Sequence, residues 1–337
     1  MEGPEQDLLV ELDDGSRRPA IADVGLIGLS EAGDEVVVNV QARDLGLGSG
    51  GFDIVHVNLT RGLQGEGIDG AHVMKLNYTS LQHAVEPVED TQTGAGDRLQ
   101  LPLERPAAVL ALHGQLAAVA WAFAQAEPGR RLGYVQTEGG ALCGGHSRIV
   151  RTLRERGLLA GHLTAGAAFG GEGEALTTAG ALHHGLRTLG WDAAVCGPGP
   201  GIVGSGSPLG HGGMHTLDSA HTALALGAAT LVVARMSSGD PRPRHRGISH
   251  HTLTVLDLLL EPVTVALPAA IDVQPPADLA RHDWRRAPVD LSGYEASGLP
   301  AETMGRALAE DPLFFGAALA SGTVLAELCP REGSDAA

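Results

Sequence analysis

Pro106-Ala107-Ala108-Val109-Leu110-Ala111-Leu112-His113-Gly114-Gln115-Leu116-Ala117-Ala118-Val119-Ala120-Trp121-Ala122-Phe123-Ala124-Gln125-Ala126-Glu127 opens with an apolar run, breaks at His113, Gly114 and Gln115, and continues as a second apolar run rich in alanine. An unbroken short apolar run suits a strand buried on both faces, and the longer run after the break suits a helix. The polar break rules out a membrane span of ~20 residues. The segment therefore reads as strand, turn and helix. The same unit recurs downstream, with apolar runs at 132–136, 193–196, 230–234 and 263–267 alternating with helical stretches near 146–157, 175–189, 214–226 and 250–260. Ser147, Thr177 with Thr178, and Ser249 stand where helix caps belong. Alternation of this kind predicts a mostly parallel, Rossmann-like α/β sheet with helices on both faces, over residues 106–268.

Upstream, short apolar runs at 8–12, 24–29, 35–42, 52–59 and 72–76, with a turn at Asp13-Asp14-Gly15-Ser16, predict a β-rich domain over 1–85 that curls into a small barrel. Between the two, residues 86–105 are acidic and rich in turn formers, as a linker or a long surface loop would be. Downstream, 269–337 reads as an irregular extension, with one helix over 301–310 and another within 313–328.

The formal charge of −17 argues against nucleic acid and against an anionic membrane surface as partners. Lys75 is the sole lysine, so any amine chemistry has one candidate. Cys143, Cys196 and Cys329 are widely spaced and odd in number, which predicts a reducing, cytoplasmic setting, and the acidic start of the chain carries no signal peptide pattern.

Ligands of open parallel sheets bind beyond the carboxyl ends of the strands. In this chain His113 follows the first strand and Glu138 the second. The run from Gly197 to His215 follows the strand at 193–196, and Arg235 to His251 follows the one at 230–234. The glycines of the first long loop (Gly199, Gly204, Gly206), with Ser205 and Ser207, suit close backbone approach to an anion. The loop lacks the lysine of a phosphate loop, and no nucleophile elbow is present. His211, His215 and Asp218 would share one face if the helix began early enough, a metal-ligand arrangement, although the surrounding glycines make helix doubtful there. A metal is therefore not the favoured occupant. Asp240-Pro241-Arg242-Pro243-Arg244-His245-Arg246-Gly247-Ile248-Ser249-His250-His251-Thr252 is a basic island in an acidic protein. Arg242, Arg244 and Arg246 are candidate anion clamps, and His245, His250, His251 and Asp240 candidate proton carriers.

These motifs, with Gly33-Asp34-Glu35-Val36 and Asn39, Leu45-Gly46-Leu47-Gly48-Ser49-Gly50-Gly51 and His72-Val73-Met74-Lys75-Leu76-Asn77-Tyr78-Thr79-Ser80-Leu81-Gln82, resemble an uncharacterised bacterial family, domain of unknown function 3866, over about residues 25–265. The resemblance brings no activity with it. It implies that Lys75 and Gln82 belong with the site of the later loops. The leading expectation is an enzyme acting on a small phosphate- or carboxylate-bearing metabolite. A ligand-sensing protein using the same loops, or an assembly partner, are the alternatives, and a homo-oligomer is left open.

Overall fold

The computed structural model describes residues 4–47, 50–63, 67–92, 99 and 101–330. The chain divides into two units, Met1–Glu86 and Pro87–Ala337. Part of the 86–105 segment, and Gly48 with Ser49, lie outside the described residues.

In the first unit, β1 (Glu5–Glu11) and β2 (Arg17–Asp23) form an antiparallel hairpin. With β3 (Val36–Asn39) and β4 (Asp53–Asn58) they make a four-stranded sheet of order β1-β2-β4-β3 in which β2 and β4 run parallel. β5 (Val73–Lys75) and β6 (His83–Val85) form a separate hairpin. The sheet is open and mixed, which corrects the barrel expected from strand spacing. Val10, Ala20, Ala22, Ile27 and Val55 form its small core, enough to back one face of a short sheet. The run at 24–29 is not a strand. Asp23 Oδ1 accepts from Leu26 N–H (3.0 Å) and caps a single helical turn, α1 (Val24–Ile27), a local bond that wins over strand pairing. α2 (Gln41–Asp44) is a second such turn.

The second unit is an eight-stranded, all-parallel sheet of order β10-β9-β8-β11-β7-β12-β15-β16. Its strands are β7 (Ala107–Leu110), β8 (Leu132–Thr137), β9 (Gly161–Ala165), β10 (Gly173–Ala175), β11 (Ala193–Pro198), β12 (Thr230–Val233), β15 (Thr264–Pro268) and β16 (Asp283–Ala287). A two-stranded excursion, β13 (Met236–Ser237) with β14 (Gly247–Ile248), leaves and returns between β12 and α7. The helices are α3 (Leu116–Ala126), α4 (Arg148–Glu155), α5 (Thr178–His183), α6 (His215–Ala225), α7 (His250–Leu258), α8 (Leu291–Ala296) and α9 (Pro312–Glu327).

Alternate residues along each strand enter opposite layers. Ala108, Leu110, Val195 and Val233 pack with α3, α4, α8 and α9, whereas Ala107, Val109, Ala194 and Val232 pack with α5, α6 and α7. Burial on both faces is what made these strands legible as apolar runs. The tail is part of this unit: β16 is the edge strand beside β15, and α9 lies on α3, where Gly322 has no room for a Cβ, which would sit 2.3 Å from the Val119 carbonyl oxygen. Residues 301–310 form no helix. A turn at Met304 and Gly305, both at positive φ, joins Glu302–Thr303 to Arg306–Ala307 instead. No helix among the described residues is long and apolar enough to cross a membrane.

The chain leaves β7 through α3 on one face toward β8, and leaves β12 through α7 on the other face toward β15. The connections diverge at the neighbouring carboxyl ends of β7 and β12, the kind of switch point beyond which ligands of open parallel sheets bind. Trp191 braces the far side of this sheet, with no exposed surface, against Gly133, Gly161 and Gly185. A Cβ on Gly133 would lie 1.8 Å from the Trp191 ring. Gly133→Ala is expected to cost about 3 kcal/mol, the upper end for overpacking. Urea unfolding would measure it, and an unchanged midpoint would contradict this packing.

Candidate functional site

Arg235, just past β12, anchors the site through its backbone. Its N–H donates to Thr252 Oγ1 (2.8 Å) and its carbonyl accepts from Ser249 N–H (2.9 Å), so the start of α7 is clamped to the end of β12. Ser249 Oγ caps α7 by accepting from His251 N–H, placing His250 and His251 in the first turn. From the other side, residues after β11 fold back as a small exposed hairpin, closed by Ser205 N–H to Gly210 O (2.6 Å) and Gly212 N–H to Val203 O (2.8 Å). His211 ends that hairpin in an extended conformation, φ −149° and ψ 148°, upstream of α6. It therefore does not share a helix face with His215 and Asp218. Its ring turns toward α7 instead.

Four imidazoles converge there. The His211 ring stacks on that of His251, centroids 3.7 Å apart and planes 11° from parallel. His250 lies 4.4 Å from His251, and His245 lies 4.9 Å from His250 and 5.0 Å from His251. Both histidines behind Ser249 join the cluster. His245 Nδ1 contacts Ser249 Oγ (2.8 Å), and His251 Nδ1 faces Arg235 Nη1 (3.1 Å). Nε2 of His250 is buried without a hydrogen-bond partner, and so, apart from a Pro208 backbone contact, are the ring nitrogens of His211. Buried polar atoms in native proteins are nearly always paired, so unpaired ones mark a place prepared for something else.

Burial drives all four rings toward the neutral form, and the neighbouring cations add to it. His251 is pushed down to about 2 by burial and then by His211 and Arg235, and His245 to about 4 by burial, Arg235 and Arg242. His211 and His250 are lowered by the same causes, burial first. Arg235 is itself lowered to about 10 by burial and keeps its charge at neutral pH.

Asp240 organises the cations. It has no exposed surface and takes a two-pronged contact from Arg242, Nε to Oδ1 (2.9 Å) and Nη2 to Oδ2 (2.8 Å). Arg235 and Arg306 stand 3.7 and 3.8 Å from Oδ2. The Arg242 hydrogen bonds hold this carboxyl well below its usual range, so it stays charged and is poorly suited to carry protons. Arg246 Nε donates to the Asp240 carbonyl oxygen (3.0 Å). Arg244 and Arg246 are both exposed; Arg244 differs in making no hydrogen bond or ion pair among the described residues, and its Nη1 lies 4.0 Å from where a Gly206 Cβ would stand. Two residues distant in sequence complete the frame. Asp311 accepts from Ser237 Oγ (2.6 Å), Ser238 N–H (2.8 Å) and Arg306 Nε (3.1 Å). Gln115 Nε2 donates to Ala234 O (3.0 Å), tying the end of β7 to that of β12.

The remaining expected residues are placed differently. Ser205 Oγ accepts from Ser207 N–H and Ser207 Oγ from Gly210 N–H, so the serines and glycines of 204–210 chiefly close their own hairpin. Gly199 meets the loop after β8 so closely that a Cβ would lie 2.3 Å from Ala141 O. Glu138 is exposed and accepts from Ala167 N–H (2.9 Å), linking the loops after β8 and β9. His113 belongs to a buried chain away from the cluster. Its Nδ1 and Nε2 contact Tyr134 OH (3.3 Å) and Ser147 Oγ (2.7 Å), and Tyr134 OH donates to Gly197 O (3.0 Å). Lys75, buried at the end of β5, and Gln82, whose Oε1 accepts from Tyr78 N–H (3.1 Å), belong to the first unit.

Candidate ligand atoms of His211, His250 and His251 lie within 4.8 Å of one another, a loose version of the spacing around a metal ion. The stacked ring planes do not aim their lone pairs at one point, and the surrounding arginines Arg235, Arg242, Arg244, Arg246 and Arg306 outnumber Asp240 and Asp311. The local charge around the cluster is therefore net positive.

The neutral rings tie stability to pH. His113 and His162, lowered to about 4 and about 3 by burial, add to His245 and His251. The unfolded chain binds these protons near pH 6.5 and the folded chain does not, so stability is full above that value and falls as pH drops through it. The unfolding free energy from urea titrations should hold nearly level from pH 7.5 to about pH 6.5 and fall from there to pH 5, by about 1 kcal/mol or more per pH unit, and His251→Gln should lessen the slope. A flat profile would contradict burial of neutral imidazoles.

No curated protein and no solved structure matches this chain. The family described as protein of unknown function (DUF3866) matches residues 19–322, most of both units, and the chain belongs to that family.

Proposed function

We propose that the crevice beyond β7, β11 and β12 is the site of an enzyme acting on a small anionic metabolite, its phosphate or carboxylate held by Arg244 and the ring N–H groups of the histidine cluster. One observation carries this reading: four neutral imidazoles, two of them with buried unpartnered nitrogens, sit among arginines that the nearby carboxylates do not balance. An incoming anion would both pair those nitrogens and offset that charge. Arg244 is the arginine with its fork available, because Arg242 gives both prongs to Asp240. His250, half-buried with Nε2 unpaired, is the proton carrier. The odd number and wide spacing of Cys143, Cys196 and Cys329 support a reducing, cytoplasmic setting.

Calorimetric titration with inorganic phosphate, and with malonate as the carboxylate counterpart, tests the reading. Arg244→Lys should weaken binding about 10-fold or more, since a charge-assisted fork contributes about 1.5–3 kcal/mol and lysine cannot reproduce it. His250→Gln should bind within a few-fold of the parent and lose any turnover. Binding unaffected by Arg244→Lys would refute the assignment, and binding without turnover in the parent chain would favour a sensor.

A further inference from the structure

Arg235 is the least exposed of the site's arginines, 6% exposed, and both of its backbone groups are committed to the first turn of α7. Its Nη1 lies 3.1 Å from His251 Nδ1. A guanidinium has five N–H donors and no lone pair, so in this contact the ring nitrogen must accept. A neutral imidazole carries one N–H, and with Nδ1 accepting that hydrogen resides on Nε2. Protonation of Nδ1 would set two N–H groups against each other beside a buried cation, so the ring is kept both neutral and in one tautomer.

The other three rings are not held this way. His245 Nδ1 faces the Ser249 hydroxyl, which can donate or accept. His211 has only a Pro208 backbone contact acting on it, and His250 Nε2 is buried without a hydrogen-bond partner. We propose that Arg235 is a positioning residue that locks His251 as the Nε2–H tautomer, so that this ring meets the oxyanion of a ligand as a hydrogen-bond donor while a neighbouring ring carries the proton. The assignment of the donor to a ligand rests on the anion reading above; the tautomer itself does not.

A chemical consequence separates the two kinds of occupant. While Arg235 holds Nδ1, the Nε2 lone pair of His251 is not available, so this ring can serve neither as a general base nor as a ligand for a divalent cation. A metal bound by His211, His250 and His251 would require Nδ1 or Nε2 of His251 to change its proton and Arg235 to withdraw. The positive surroundings of Asp240 make that withdrawal costly, because Arg242 and Arg306 already occupy the space around its carboxylate.

The test is a nitrogen-15 histidine side-chain spectrum of the full chain near pH 7.5, without ligand. His251 is expected to show a protonated, pyrrole-type Nε2 and an unprotonated, pyridine-type Nδ1. Arg235→Met should let the ring average between tautomers, and Arg235→Lys should restore the single form. A protonated Nδ1 in the parent chain would overturn the proposal, with no dependence on whether a variant folds. So would a spectrum unchanged in Arg235→Met, or zinc added at 1:1 that binds through His251 Nε2. In phosphate titrations His251→Gln, which keeps an N–H near the Nε2 position, should stay within about 3-fold of the parent, whereas His251→Asn should weaken binding about 10-fold. If the tautomer is as expected but no variant or parent binds phosphate or malonate, the anion reading fails and the Arg235 lock stands. If phosphate binds and His251 carries its proton on Nδ1, the lock fails and the anion reading stands.

Discussion

Asp240 lies wholly out of solvent, and every strong neighbour it has is a cation or a backbone donor. A carboxylate in that position cannot lose its partners cheaply: breaking a buried ion pair from one side typically costs about 3–5 kcal/mol. The requirement runs outward through the site. It fixes Arg242 and draws Arg235 and Arg306 inward. Arg235 in turn reaches His251, while Arg306 reaches Asp311, whose other bonds close the chain at Ser237 and Ser238. The excursion between β12 and α7 thus takes its shape from one buried negative charge, and the histidines take their places from that excursion.

The second constraint is desolvation. Imidazoles this close could not all be charged, and burial beside Arg235 keeps them neutral across the physiological range. Neutral histidine is the form that donates through one nitrogen and accepts through the other, and the form that can take up a proton during a reaction. The sheet supplies the location. Connections diverge from the neighbouring ends of β7 and β12, and Gln115 ties those ends together.

Much of the architecture was readable in the chain because most strands buried on both faces are apolar runs, as at β7, β11 and β12. β9 is equally buried but was missed, because His162 and Thr164 interrupt its run. Half-exposed strands were readable where apolar residues alternate, as in β1, β3, β4 and β5, but two strands that carry arginines were not. β2 begins Arg17-Arg18-Pro19 and β16 carries Arg285 and Arg286, so neither shows the pattern of a buried strand. A short apolar run such as 24–29 is equally compatible with a strand or a helical turn, and the Asp23 cap decides it. At the site, the density of arginine and histidine over 240–252 marked the segment, but not what each side chain does. Arg242, Arg244 and Arg246 are near neighbours in sequence, yet one is spent on a side-chain carboxylate, one bonds a carbonyl, and one stands at the hairpin without a partner among the described residues. That division depends on a buried partner and on Arg306 and Asp311, some sixty to seventy positions away. The glycines of 197–213 were legible as a tightly built loop. What they accommodate at Gly199 and Gly212 is a neighbouring backbone, and a single sequence holds no signal for that contact.

The account stands on the claim that the histidine cluster is where a small anion binds. Ring signals of the histidines, followed while inorganic phosphate is added to the uniformly nitrogen-15-labelled chain, report on that claim atom by atom. His211, His250 and His251 are predicted to shift together along one saturable curve, with His113 and His162, buried in their own network beside β8, unmoved. Phosphate that left all three unchanged, or that shifted exposed histidines alone without saturation, would contradict it.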